Sequence, residues 1–287
     1  MAGEFEFIEW LRARQRRGGV VRVAAGDDLA VLDWPAGELL VVGVDQVLDG
    51  VHFDSRVHSP EAIGAKVMNR NLSDCAAMAC WPVAAVVATA LPRGAGVEYA
   101  KGLYAGMAEA GRVFDCEIVG GDTGSWDGRL ALSVTIMGKS AGVPPVTRSG
   151  ARVGDGIYVT GRLGGSIGGR HMTFVPRVRE ARELATKYRV TAMIDLSDGL
   201  SRDLGHVCRQ SGVGAVISAG SVPVHAGVTL EGALNDGEDY ELLFTSPDRV
   251  EHPLVTLVGM VTEGDEIWLQ TKDQRVRLRA RGWEHGL

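Results

Sequence analysis

The chain has little cysteine, few aromatic residues and no long apolar run. Its four cysteines, Cys75, Cys80, Cys116 and Cys208, show no C-x-x-C spacing and sit in apolar or helical contexts. This excludes a disulfide scaffold and predicts a reduced, cytoplasmic protein. The longest apolar stretch, near Val83 to Leu91, is too short to span a bilayer. Residues 1–19 carry acidic then basic residues without a signal-peptide core, so no membrane role is expected. Common catalytic signatures are missing too. The seven histidines show no H-E-x-x-H spacing. Neither G-x-x-x-x-G-K-[ST] nor G-x-G-x-x-G occurs, which leaves a P-loop and a dinucleotide fold unsupported. A formal net charge of −6 disfavours nucleic-acid partners, and a polyanionic substrate would need local cations.

What is present is an α/β alternation over 287 residues, punctuated by 39 dispersed glycines. Apolar spacing predicts a helix over 5–16, a hairpin from 30–33 and 39–44 around Pro35-Ala36-Gly37, and a helix from Pro60 to about Ala79. On that helix Lys66, Arg70 and Asp74 share one face. Strands are predicted over 83–91, 116–119 and 130–138, with a helix over 97–113. Ala141-Gly142-Val143-Pro144-Pro145 reads as a domain break. Beyond it, strands over 156–160, 191–195 and 240–245 alternate with helices over 178–187 and 199–210. The run from Gly161 to Gly169 follows a strand and fits either a phosphate cradle or an ordinary tight loop.

The chemistry lies in five aspartate clusters: Asp27-Asp28, Asp45, Asp74, Asp122, and Asp195 with Asp198. Several follow apolar strands, so their side chains can converge from strand ends. Like charges a few ångströms apart repel by roughly 4 kcal/mol at an effective dielectric near 20. Convergence therefore demands raised pKa values or a hard, oxygen-binding cation such as Mg²⁺. Each cluster also has a plainer reading: Asp27-Asp28 as a turn, Asp74 paired with Arg70 at i,i+4, and Asp198-Gly199 as a helix cap.

In order along the chain, Gly26-Asp27-Asp28, Asp49-Gly50-Val51-His52-Phe53, Asn71-Leu72-Ser73-Asp74, Gly120-Gly121-Asp122-Thr123, Thr147-Arg148-Ser149-Gly150, Asp195-Leu196-Ser197-Asp198-Gly199 and Gly237-Glu238-Asp239-Tyr240-Glu241 resemble the motifs of thiamine-monophosphate kinases. The resemblance covers nearly the whole chain. It implies a two-domain α/β (α+β) fold of the aminoimidazole-ribonucleotide synthetase type. Residues 1–140 would form an ATP- and Mg²⁺-binding domain that builds a β-barrel across a homodimer, and 141–287 a C-terminal α/β domain.

The implied reaction passes the γ-phosphoryl group of ATP to thiamine monophosphate through positioning and metal ions, with no catalytic side chain. Asp28, Asp45, Asp74, Asp122 and Asp195 would hold Mg²⁺, with Asp198 at a further ion. Asp122, Arg148 and Ser197 would meet the nucleotide, and His52, Glu238 and Trp283 the thiamine phosphate. On local sequence alone, Arg148 reads equally as a surface residue and Trp283 as a packing residue.

Three departures from the family pattern stand out. Gly43-Val44 replaces hydroxyl residues before Asp45, Gly164-Gly165-Ser166 replaces Gly-Asp-Ser with little helix before His171, and the stretch before Glu238 is short. The alternatives are another ATP-dependent enzyme of the same superfamily with a different acceptor, and a non-catalytic nucleotide-binding dimer.

Overall fold

The structure is a computed structural model and describes residues 7, 10, 11, 13, 14, 19–23, 30–279, 281 and 282. The expected helix over 5–16 falls largely outside them, as do Asp28 and Trp283. The chain divides into two compact units, one of residues 1–75 and 80–142, the other of 76–79 and 143–287.

In the first unit, four strands form a mixed sheet in the order β3 (Leu40–Leu48), β6 (Ala131–Lys139), β4 (Trp81–Pro92), β5 (Glu117–Trp126). β3 and β6, and β6 and β4, run antiparallel. β4 and β5 are parallel and therefore need a crossover, which α2 (Val97–Arg112) supplies. α1 (Pro60–Ala77) buries Ile63, Val67, Met68 and Leu72. It meets α2 at glycine contacts: a Cβ on Gly64 would stand 2.0 Å from the Leu103 carbonyl oxygen, and one on Gly106 1.9 Å from that of Glu61.

The expected hairpin does not form. β2 (Val31–Leu32) pairs with β1 (Val21–Val23), and β3 pairs along its whole length with β6. The strand expected to stop at Val119 continues as β5 to Trp126, because parallel pairing with β4 carries it through Gly120 and Gly121. Asp45 and Asp122 consequently lie inside strands rather than beyond their ends.

The second unit is built on a seven-stranded sheet in the order β13 (Arg275–Arg277), β12 (Ile267–Gln270), β9 (Gly214–Ser218), β11 (Val255–Thr262), β7 (Gly156–Thr160), β10 (Leu242–Ser246), β8 (Ala192–Asp195). All neighbours are antiparallel except β12 and β9. Helices α3 (Val178–Lys187), α4 (Leu200–Ser211) and α5 (Leu230–Asn235) complete it. Its core gathers Ile157, Val159, Ile194, Leu196, Leu204 and Leu243, among others. The short β8 ends at Asp195, which delivers the Asp195–Gly199 motif to the sheet edge ahead of α4.

Candidate active site

β3 has two faces. Leu40, Val42, Val44 and Gln46 are exposed, whereas Val41, Gly43, Asp45 and Val47 turn toward cover, as the two-residue strand period requires. The covered row meets the polar stripe of α1. Arg70 donates from Nε to Asp45 Oδ2 at 2.5 Å and from Nη2 to Oδ1 at 3.2 Å. One turn earlier, buried Lys66 donates from Nζ to the His52 carbonyl at 2.6 Å. One turn later, Asp74 Oδ2 lies 3.9 Å from where a Gly43 Cβ would stand. Positions 66, 70 and 74 do share a face, but Arg70 serves a strand residue 25 positions away, a partner that local spacing could not reveal.

His52 sits in a tight turn whose backbone is tied at Gly50 N–H to Phe53 O, 2.7 Å. Its Nδ1 accepts the Leu48 N–H at 3.0 Å, which fixes the ring's orientation. Asp49 is structural, accepting the Ser55 N–H and hydroxyl. Asp122 pairs with Ala88, which pairs with Ser133, itself opposite Gln46. Residues paired this way point to one face, so Asp122 lies on the exposed face with Gln46 and Asp45 on the covered one. A single chain does not bring these two carboxylates together.

Mg²⁺ favours near-ideal octahedral oxygen coordination. At Asp45 the donor set does not suit it. Both carboxylate oxygens already receive guanidinium donors, and Gly43-Val44 contributes no side-chain oxygen. A divalent ion 4 Å from a guanidinium would be repelled by roughly 8 kcal/mol at an effective dielectric near 20.

The second unit assembles more of the expected residues. Two loops clamp each other through backbone bonds: Leu196 N–H to Glu241 O at 2.7 Å, Glu238 N–H to Ser197 O at 2.8 Å, and Tyr240 N–H to Leu196 O at 2.9 Å. The clamp holds Glu238 and Tyr240 at φ 55° and 51°, left-handed values that non-glycine residues rarely adopt. Tyr240 stacks on Phe174 at 4.0 Å between ring centroids and donates its hydroxyl to Glu238 Oε1 at 3.1 Å. The Tyr240 hydroxyl thereby orients the Glu238 carboxylate.

Asp198 does not cap α4. The cap residue is Gly199, at φ 107°, and a Cβ there would meet the Asn235 backbone at 3.1 Å. The N–H groups of Asp198 and Gly199 both donate to Asp203 Oδ2 at 3.1 Å, so Asp203 reaches back from inside the helix much as the acidic member of a capping box does. Ligand atoms of Asp198, Asp203 and His206 lie within 4.8 Å of one another. Burial, then the charges of Asp195 and Asp198, push the Asp203 carboxyl up to about 8. Burial, then the charges of Arg148 and Arg209, push the His206 imidazole below its ordinary value.

The carboxylates of Asp195, Asp198 and Asp203 gather negative charge around a buried Asp203, an arrangement that fits a divalent cation. Asp203 and His206 were not among the expected ligands. Their signal is the i,i+3 spacing on α4 together with an aspartate in the loop just before it.

The glycine-rich loop is no phosphate cradle at its start, since the N–H groups of Gly164 and Gly165 donate to Asp239 and Asp236 at 2.8 Å each. Two single 3₁₀ turns, Ser166–Gly168 and Arg170–Met172, follow, in line with the little helix expected before His171. Glu241 is likewise occupied within the unit, accepting Thr160 Oγ1 at 2.6 Å and both Arg177 Nε at 2.8 Å and Nη2 at 2.5 Å.

Residues 26–140 match the AIR synthase related protein N-terminal domain, and 169–267 match the C-terminal domain of the same family. The chain is 39% identical over 309 residues to the thiamine-monophosphate kinase of Rhodopirellula baltica, covering 99% of this chain and 97% of that one. It is 32% identical over 324 residues to that of Escherichia coli, covering 99% and 98%. The crystal structure of thiamine-monophosphate kinase from Stenotrophomonas maltophilia superposes with a TM-score of 0.81 at 30% identity, over 93% of this chain and 96% of that one. AaThiL complexed with AMPPCP and TMP superposes with a TM-score of 0.78 at 29% identity, over 99% and 97%.

Proposed function

Because this chain belongs to the thiamine-monophosphate kinase family of AIR synthase related proteins, we propose that it transfers the γ-phosphoryl group of ATP to thiamine monophosphate, giving thiamine diphosphate and ADP. What carries the reading is the clamp between residues 195–199 and 237–241, which holds Asp195, Ser197, Asp198 and Glu238 in one place.

Transfer between two phosphates depends on alignment and charge neutralisation. The acceptor phosphate is already ionised and needs no strong general base, which accounts for the lack of a catalytic histidine. Asp195 and Asp198 would hold Mg²⁺ through carboxylate oxygens, with Asp203 fixing the loop backbone that carries Asp198. When bound, Mg²⁺ supplies neutralisation of the phosphate oxygens. Arg148 would lend a fixed positive charge to the nucleotide, and Ser197 a hydroxyl. Glu238, fixed by Tyr240, would accept from the cationic acceptor, with His52 and Trp283 as its further contacts. Asp28, Asp74 and Asp122 remain proposed metal ligands of the N-terminal ATP- and Mg²⁺-binding domain, 1–140, and residues 141–287 would form the C-terminal α/β domain. The exposed apolar row of β3 supports a homodimer.

Purified protein incubated with ATP, Mg²⁺ and thiamine monophosphate is expected to yield thiamine diphosphate on chromatographic separation, and to lose that activity with EDTA. Nucleotide binding without product would overturn the assignment of acceptor.

A further inference from the structure

We propose that Arg70 is a built-in cation of the nucleotide site: its guanidinium takes the charge position at Asp45 that a divalent ion would otherwise fill. The inference rests on the kinase reading above, and it concerns how that site is neutralised in this chain. Both Asp45 oxygens receive Arg70 donors, at 2.5 and 3.2 Å. The pair is shielded, with the arginine side chain 12% and the aspartate 25% exposed, so solvent screens it weakly. A guanidinium carries its charge at every accessible pH and grips a carboxylate as a planar fork. Lys66, anchored one turn earlier on the His52 carbonyl, fixes the register of α1 against β3 and so the placement of that fork.

The surrounding residues agree. β3 offers a metal at Asp45 no second side-chain oxygen on that face, since residue 43 is glycine and Val44, 65% exposed, points to the opposite face. Space is not the reason for that glycine. The nearest atoms to a Cβ at 43 would be Asp74 Oδ2 and Ile136 Cγ2, both at 3.9 Å, an ordinary contact. A hydroxyl would fit beside Asp74, and the chain does without it. The loss of oxygen donors and the presence of a fixed cation on the same carboxylate are two sides of one substitution. Neutralisation at Asp45 then no longer depends on free magnesium.

Mn²⁺ binding, counted by equilibrium dialysis and electron paramagnetic resonance in the presence of AMPPCP, tests this. Arg70→Gln is expected to bind one more Mn²⁺ per chain than the wild type, and the Asp45→Asn/Arg70→Gln double variant to lose that ion again. Asp45→Asn alone is expected to leave the wild-type count unchanged. Should Arg70→Gln not fold, Asp45→Asn decides: one Mn²⁺ fewer than wild type means Asp45 is a ligand despite Arg70, and the proposal falls. Equal isotherms for wild type and folded Arg70→Gln overturn it as well, while leaving the kinase reading intact. A wild type that binds no Mn²⁺ with AMPPCP removes both.

Discussion

Asp239, 8% exposed, accepts the Gly164 N–H through Oδ2, while Oδ1 has no hydrogen-bond partner among the described residues and lies 3.5 Å from Arg170 Nη2. Burial outweighs that N–H and nearby Arg170 and raises its carboxyl from an ordinary 3.8 to about 6. The folded protein therefore holds this proton more tightly than the unfolded chain. Its contribution to stability is fully present below about 3.8 and is lost as pH rises through about 6. Asp239→Asn should melt above the wild type near neutral pH and lose that advantage near pH 4. Thermal melts across the range check this, and a pH-independent difference would contradict it. At this scale the motifs marked Glu238 and Asp198 as candidates, and the structure adds what holds them: the Tyr240 hydroxyl on Glu238 and Asp203 on the Asp198 N–H. The sequence was silent on Arg70 with Asp45 and on Asp203 with His206. Those pairings depend on which helix face meets which strand row, and on how a loop folds back over its own helix.

Between elements, close approach and open surface separate glycines that look alike in the sequence. Gly106→Ala would drive a methyl into the α1 backbone and should destabilise by about 2 kcal/mol or more, since backbone cannot yield as a flexible side chain does. Gly205→Ala, on α4 with nothing within 4 Å, should instead stabilise by roughly 0.5–1 kcal/mol through helix propensity. Urea titrations of both variants read the opposite signs directly. The elements themselves were mostly visible from periodicity, with α1, α2, α3 and α4 starting within a residue of expectation. The false hairpin shows why pairing was not. Pro35-Ala36-Gly37 signals a turn, but a turn does not decide the strand's partner, and β3 finds its own in residues 131–139.

At the scale of the whole molecule, the β3 row of Leu40, Val42 and Val44 is 53%, 61% and 65% exposed, on an edge strand. Such a row is costly to leave in water and open to pairing. In light scattering the protein should run as a dimer, and Val42→Asp/Val44→Asp as a folded monomer. An unchanged mass would place the dimer surface elsewhere. Composition and motif order were enough to identify a two-part α/β kinase architecture. Neither could indicate that Asp122 and Asp45 occupy opposite faces of one sheet, because an odd or even position acquires meaning only once the strand is paired.

That parity makes β3 intolerant of insertions. Adding a single residue within β3, just after Val41, would exchange the two rows beyond it if Leu40 and Val41 kept their pairing with β6. Asp45 would then move into the apolar row, and Val44 would face Arg70. A library of single-residue insertions at 41–44 should therefore be depleted far more than one in the turn at 263–265.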